Sequence, residues 1–400
     1  MCSSDLGLPP ALARAGHRVT VVLPRYRGVD PGVTEDRSGT VALGQVRHDV
    51  VWRAREASPG VRTVFVDCPA LYDRAGYYGA GGQDFADNAD RFGILAAAAL
   101  DYAAAERSHR PTIVHAHDWQ AGLVPVLLRT QPDRWPGVSR AGLVFTIHNL
   151  AYQGVFDKTI VPRLGLDWRV FTMDGAEFYN QFSFLKAGLA YSDQVTTVSP
   201  RYAEETLTPA FGNRLEGALE ALGDRYTGIL NGIDTAVWDP ATDPHLPVAY
   251  SAAARDGKRA AKRALLERFE LPVGDDALAR PVIAMVTRLV EQKGLDWIAE
   301  VQDALMALDA TWGARGDYFD GRFDSAIAFW EALSKIAQAG RAKPFMQGGV
   351  VRVMRDQAQS IPAALFSMRN ISRGSFSIDY LMPSDDTADC VEVVYFDADV

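Results

Sequence analysis

Residues 111–149 read PTIVHAHDWQAGLVPVLLRTQPDRWPGVSRAGLVFTIHN, and their pattern decides the fold class. PTIVHAHD is a short run led by β-branched residues, WQAGLVPVLLRT spaces its apolar residues as a helix does, and GLVFTIHN returns to strand character. Two strands joined by a helix form a βαβ unit, whose strands lie parallel. The alternation extends outward in both directions. Upstream stand HRVTVVLP, TVFVD and the Ala-rich helix DFADNADRFGILAAAALDYAAAE; downstream stand FSFLKAGLAY, QVTTVS and TGILNG. The expectation is an α/β chain with one large Rossmann-like domain over residues 1–240, built on a doubly wound parallel sheet. WDPATDPHLPVAYS, rich in Pro and Asp, reads as a linker, after which the helix RDGKRAAKRALLERFEL and the strand PVIAMVTRL open a second α/β domain over 241–305. From 306 to 400 the pattern changes. An aromatic-rich helix, FDSAIAFWEALSKIAQ, precedes the strands GGVVRVMRD, GSFSIDYLMP and DCVEVVYFDADV, the pattern of an unrelated α+β segment.

The chain has 400 residues, 48% hydrophobic and 23% charged, which suits a folded chain of two or three domains. Its net charge of −9 argues against nucleic acid or an anionic membrane as a partner, because such binding needs cations facing phosphate. A phosphate site would have to be local. No apolar run approaches a membrane span and MCSSDLGLPP lacks the features of a signal peptide, so the expected location is the cytoplasm. Cys2, Cys68 and Cys390 are few and far apart, which implies neither a disulfide framework nor a zinc site.

Parallel strands end at the crevice where α/β folds bind ligands. VHAHDW places His115 and His117 on one face of a strand, with Asp118 at the turn that follows. Three readings stand side by side: half of a metal site, a structural histidine pair capping backbone groups, or a grip on substrate hydroxyls. His148 and Asn149 repeat the arrangement at the next strand end, and Tyr152 and Gln153 add polar groups suited to a sugar. TRLVEQKG, residues 287–294, sets Arg288 and Lys293 beyond the apolar run PVIAMV, as a phosphate grip or as two solvated cations. Asp87 and Arg91 are spaced for a helical ion pair, Lys186 for a snorkelling lysine, and Asn231 and Asp234 for a plain turn.

The ordered blocks GHRVTVVLPRY, DNADRF, HAHDWQAGLVPV, FTIHNLAYQGVF, FLKAGLAYSDQVTTVSP, GILNGIDTAVWDPATDP and RLVEQKGLD resemble the bacterial glycogen synthase and plant starch synthase family over about residues 7–298. That family consists of retaining glycosyltransferases of the two-Rossmann GT-B type. The resemblance implies transfer of glucose from ADP-glucose, or sometimes UDP-glucose, to the non-reducing end of an α-1,4-glucan. No cofactor or catalytic metal is implied, and the partners are the sugar nucleotide and the glucan. Arg288 and Lys293 match the pair that grips the donor pyrophosphate, His117 the histidine beside the transferred glucose, and Asp87 an acidic residue lining the same cleft. Asn149 and Tyr152, with His148 and Asp118, fall where contacts to sugar hydroxyls are expected.

The departures carry expectations of their own. Family members begin with a strand and a Lys-Thr-Gly-Gly-Leu loop that this chain does not show, and nothing after about residue 305 matches the second Rossmann domain. QGGVVRVMRD, FSMRNISRGSFSIDY and DDTADCVEV resemble phage tail proteins of the host-specificity or tip-attachment type. The string CSSDL at residues 2–6 resembles a translated sequencing adapter. The expectation is a chimeric, truncated synthase joined between Trp297 and Asp309, with little or no activity, because electrostatic catalysis needs all its preorganised partners. A phage tail structural role is the competing function.

Overall fold

The computed structural model describes residues 3–29, 32, 34–107 and 110–280, a hairpin at 342–347 and 350–355, and the isolated residues 282, 284, 286, 334 and 337. The chain divides into two compact units, Met1–Ala254 and Arg255–Val400.

In the first unit, α1 (Ser3–Arg14) leads into β1 (Val19–Pro24), followed by β2 (Thr34–Leu43), β3 (Val46–Ser58) and β4 (Val61–Asp67). These form a sheet in the order β1-β4-β3-β2, with β1 parallel to β4 and the other pairs antiparallel. After α2 (Pro69–Tyr72) comes a small hairpin of β5 (Gly79–Ala80) and β6 (Gln83–Asp84), then the long helix α3 (Asn88–Ala105). β7 (Ile113–His117), a 3₁₀ turn at Trp119–Ala121, α4 (Leu123–Thr130) and β8 (Gly142–Ile147) realise the expected βαβ unit. An antiparallel ribbon of β9 (Val155–Asp157), β10 (Glu177–Phe178) and β11 (Gln181–Ser183), with α5 (Ile160–Arg163) between its first two strands, precedes α6 (Phe184–Tyr191). β12 (Gln194–Thr197), α7 (Pro200–Thr206), α8 (Glu216–Glu220) and β13 (Tyr226–Gly228) complete a parallel sheet in the order β13-β12-β8-β7.

The fold class is α/β with parallel pairing, as expected, but the described strands of the first unit form two four-stranded sheets and two smaller antiparallel ones instead of one sheet. The antiparallel pair β2–β3 was not anticipated. Its signal is present in VRHDVVWRAREAS, where Val46, Val50, Trp52 and Ala54 are buried at even spacing between charged residues. The strand expected over TGILNG is shorter than its apolar run, and Ile229 and Leu230 lie beyond it, exposed.

One apolar core includes residues of both sheets, and α3 packs against the β1–β4 sheet and against α4. Ala96, Ala97 and Ala98 are fully buried, and small side chains let the helix approach closely. The Trp52 indole N–H donates to the Ala98 carbonyl at 3.1 Å, which satisfies a polar atom that burial would otherwise leave costly. Each fully buried Leu or Phe of this core contributes about 1.5–3 kcal/mol from its removal from water.

The second unit contains α9 (Asp256–Arg268) and α10 (Asp275–Ala279), with Leu266 and Leu278 buried, and an antiparallel hairpin of β14 (Ala342–Gln347) and β15 (Val350–Arg355). Arg288, Lys293 and most of segment 306–400 lie outside the described residues. Among the described residues no helix is long and apolar enough to cross a membrane.

Candidate active site

The site is built at the C-terminal ends of β7, β8 and β12. Parallel register sets His117 opposite Thr146 and Thr146 opposite Thr196, so alternation places His115, His117, Thr146, His148 and Thr196 on neighbouring strand ends. His115 Nε2 lies 2.6 Å from Thr146 Oγ1, which lies 2.6 Å from Thr196 Oγ1. His117 Nδ1 lies 3.1 Å from His148 Nε2, so one of these two nitrogens carries the shared hydrogen. The His115 and His117 rings stack at 4.1 Å between centroids, and His148 follows at 5.3 Å from His117.

Desolvation is the first cause that disfavours charge on His115 and His117, and neighbouring imidazoles add to it. His117 is pushed down to about 3 by burial and then by His115 and His148; His115 is pushed down to about 4 by burial and then by His148. His115 stands on the outer strand and keeps solvent contact, so the geometry gives His117 the greater weight. Both causes favour the neutral form of these two rings, which then offer one donor and one acceptor nitrogen each, the chemistry of hydroxyl recognition. Among the described residues no group of three or more His, Cys, Asp or Glu side chains is arranged to hold a metal.

Asp118 joins the two strand ends. Its backbone N–H donates to the Thr146 carbonyl at 2.9 Å, and its carboxylate accepts the His148 backbone N–H at 2.8 Å. Its φ of 55° is a conformation that non-glycine residues seldom adopt, costing about 1–3 kcal/mol that the surrounding bonds must offset. The carboxylate expected to meet a ligand thus also holds the His148 loop. Asn149 is likewise engaged, its Oδ1 accepting the Ala151 N–H at 3.0 Å, whereas Tyr152 is exposed. Gln153 is buried and donates through Nε2 to the Asn213 carbonyl at 2.9 Å. Gly154, at φ +57°, passes under the Trp119 ring where a Cβ would lie 2.3 Å from a ring carbon.

Asp87 does not form the expected pair with Arg91. It stands before α3 and takes a two-point ion pair from Arg74, at 2.7 and 2.5 Å. Burial opposes its ionisation, but the Arg74 hydrogen bonds and charge prevail and hold the carboxyl below its usual range. Arg91 is fully buried and donates to the Leu71 carbonyl at 2.7 Å and to Asn88 Oδ1 at 2.6 Å. Its guanidinium lies among the rings of Phe85, Phe92 and Tyr72, at 5.0, 5.4 and 5.8 Å, while the Asp87 carboxylate is taken by Arg74. Lys186 does not snorkel either. It is buried, and its ammonium donates to the Met173 and Glu177 carbonyls, both at 2.6 Å. Asp234 accepts the Ala236 N–H at 3.0 Å, the local bond of a turn.

Sequence reasoning missed Arg74, Thr146, Thr196 and Trp119. Thr146 had a signal, since it stands two before His148 as His115 stands two before His117. Arg74 had none, because its partner lies 13 residues away across a hairpin.

The family model described as "Starch synthase catalytic domain" matches residues 6–221. Glycogen synthase of Anaeromyxobacter dehalogenans (strain 2CP-1 / ATCC BAA-258) is 48% identical over 305 residues, 76% of this chain and 62% of that protein. Glycogen synthase of Roseobacter denitrificans is 40% identical over 351 residues, 83% of this chain and 71% of that protein. The solved catalytic domain of starch synthase IV from Arabidopsis thaliana, bound to ADP and acarbose, matches with a TM-score of 0.69 at 30% identity, over 76% of this chain and 62% of that one. The chain spans about 62% of the length of the first of these relatives. The Roseobacter match takes in 83% of 400 residues, or 332, so the likeness runs beyond residue 305, where the sequence reading had ended it.

Proposed function

The chain belongs to the starch synthase catalytic-domain family, and from that membership we propose that its first unit is the acceptor-side half of a retaining hexosyltransferase, one that moves glucose from ADP-glucose to the non-reducing end of an α-1,4-glucan. The observation that carries this reading is the row of His115, His117 and His148 on hydroxyl-bearing strand ends, in which burial favours the neutral form of His115 and His117. A neutral imidazole exchanges hydrogen bonds with a sugar hydroxyl without paying to desolvate a charge. In this reading His117 meets the transferred glucose, and Asp87, fixed by Arg74, lines the same cleft. Asp118 and His148 shape the turn, while Asn149 and Tyr152 lie on the acceptor side. Arg288 and Lys293 would grip the pyrophosphate and steady the departing ADP. ADP-glucose is substrate here, and no resident cofactor is part of the scheme. The site of action we propose is the cytoplasm.

For the residues beyond about 332, where the Roseobacter likeness need not extend, we propose an origin outside the family, on the phage-tail-like strings QGGVVRVMRD, FSMRNISRGSFSIDY and DDTADCVEV. Catalysis by preorganised charge fails when part of its cleft wall is replaced. The purified chain should therefore bind maltoheptaose yet release ADP from ADP-glucose and glycogen only at background rate. ADP release at a steady enzymatic rate would refute the truncated reading, and absence of maltoheptaose binding would refute the acceptor-side assignment. Long reads of the source locus that run unbroken through the coding sequence would refute the foreign origin.

A further inference from the structure

Between α2 and α3 the chain exposes two consecutive aromatic rings, Tyr77 at 63% and Tyr78 at 43%. They are not loose. The Tyr78 carbonyl accepts the Phe85 N–H at 2.9 Å and Asn88 Nδ2 at 2.8 Å, which pins the loop to the start of α3. The Tyr77 ring packs edge-on against Tyr26 at 4.8 Å, and the Tyr78 ring lies 5.9 Å from both Phe92 and Trp119. Trp119 follows His117 by two residues, so the Tyr78–Trp119 contact brings this exposed loop to the segment that ends β7.

Beside the rings, the hairpin β5–β6 frames a depression of about 420 Å³ lined by residues 77–84. Its turn is Gly81-Gly82, both at positive φ, with no atom within 4 Å of where a Cβ would stand, so the floor next to the tyrosines is open. Gln83 and Asp84 are exposed on the same hairpin and bring an amide and a carboxylate to its rim. Rigid, exposed rings bordered by planar polar groups suit a ligand with apolar C–H faces and a belt of hydroxyls, which is a sugar. The Tyr77 and Tyr78 rings stand 6.4 Å apart at 62° to one another. Two inclined platforms fit successive glucoses of a curved α-1,4 chain better than a flat ribbon.

We infer that Tyr77 and Tyr78, with Gln83 and Asp84, form a glucan subsite that carries the acceptor chain outward from the His117 end of β7. This deepens the acceptor-side reading and rests on it. The test is titration of the full chain, with isotope-labelled tyrosine and histidine, by maltoheptaose. Tyr77 and Tyr78 ring signals should shift together and saturably. Tyr77→Ala and Tyr78→Ala should each weaken Kd by about three- to tenfold, the range expected for loss of one aromatic contact. Tyr77→Phe, which keeps the ring, should stay within about twofold. Unchanged histidine signals in each variant would show that the fold is kept. If maltoheptaose binds wild type and both alanine variants equally, and His117→Ala alone loses it, the subsite is refuted while the acceptor-side reading stands. If wild type binds no maltoheptaose, the acceptor-side reading itself falls.

Discussion

The two sheets of the first unit solve the same problem, polar side chains at strand ends, in opposite ways. Around β1–β4 the answer is charge pairing. Asp67, at the end of β4, takes Arg25 at 2.7 Å and Arg53 at 2.6 Å, and nearby Arg74 holds Asp87. Around β7, β8 and β12 the answer is a row of imidazoles and hydroxyls, in which burial favours the neutral form of His115 and His117. Paired ions satisfy much of one another's bonding capacity, so a paired carboxylate such as Asp87 serves the cleft mainly by its fixed position. A neutral row keeps its hydrogen-bonding capacity without a desolvation penalty, which suits an uncharged polyol.

The contrast is tested most severely by the buried Arg91, which anchors α2 to α3 on the charged side. Arg91→Ala should destabilise the first unit by about 3 kcal/mol or more in a denaturant melt, by emptying a fully buried position and leaving the Leu71 carbonyl without its donor. A loss near zero would mean that the buried arginine is incidental.

The neutral side makes a pH prediction. His117 has a folded-state pKa pushed down to about 3, against an ordinary value of 6.5. Between those values the unfolded chain binds a proton that the folded chain refuses. Its contribution to stability is full above about pH 6.5 and is lost as pH falls toward 3, at up to about 1.4 kcal/mol per pH unit. His117→Asn should flatten the slope of stability against pH over that window. An unchanged slope would assign the acid sensitivity to other groups.

Asp118→Gly separates strain from function. Glycine relieves the positive φ while deleting the acceptor for the His148 N–H, so net stability should move by no more than about 1 kcal/mol. The imidazole ¹⁵N signals of His117 and His148 should nonetheless change, because the loop that holds their contact is released, and Asp118→Asn should restore them. The smallest effect belongs to an exposed pair: Arg201→Ala, which breaks the helical contact to Glu205 at 3.0 Å, should cost no more than about 0.5 kcal/mol, and less in high salt.

What could be read from the sequence divides along the same line. The parallel half was legible because its strands are apolar runs that end in polar residues, so PTIVHAHD and GLVFTIHN announce both the fold and the site. The charged half was harder. β3 hides its apolar alternation among arginines and acids, and the Asp87–Arg74 pair depends on a hairpin that brings distant residues together. Helical spacing pointed to Arg91 for that partner, and burial among Tyr72, Phe85 and Phe92 decided otherwise. The clip made by Asp118 was also beyond reach, since it follows from a positive φ that no residue pattern advertises.

The central claim is that His117 is neutral and meets sugar hydroxyls at the strand-end row. A long-range ¹H–¹⁵N spectrum of the histidine rings at pH 5, with and without maltoheptaose, tests it directly. The account predicts a neutral His117 ring whose nitrogen shifts respond to the glucan, with protonation only near pH 3. A His117 that titrates near pH 6.5 and ignores maltoheptaose would contradict it.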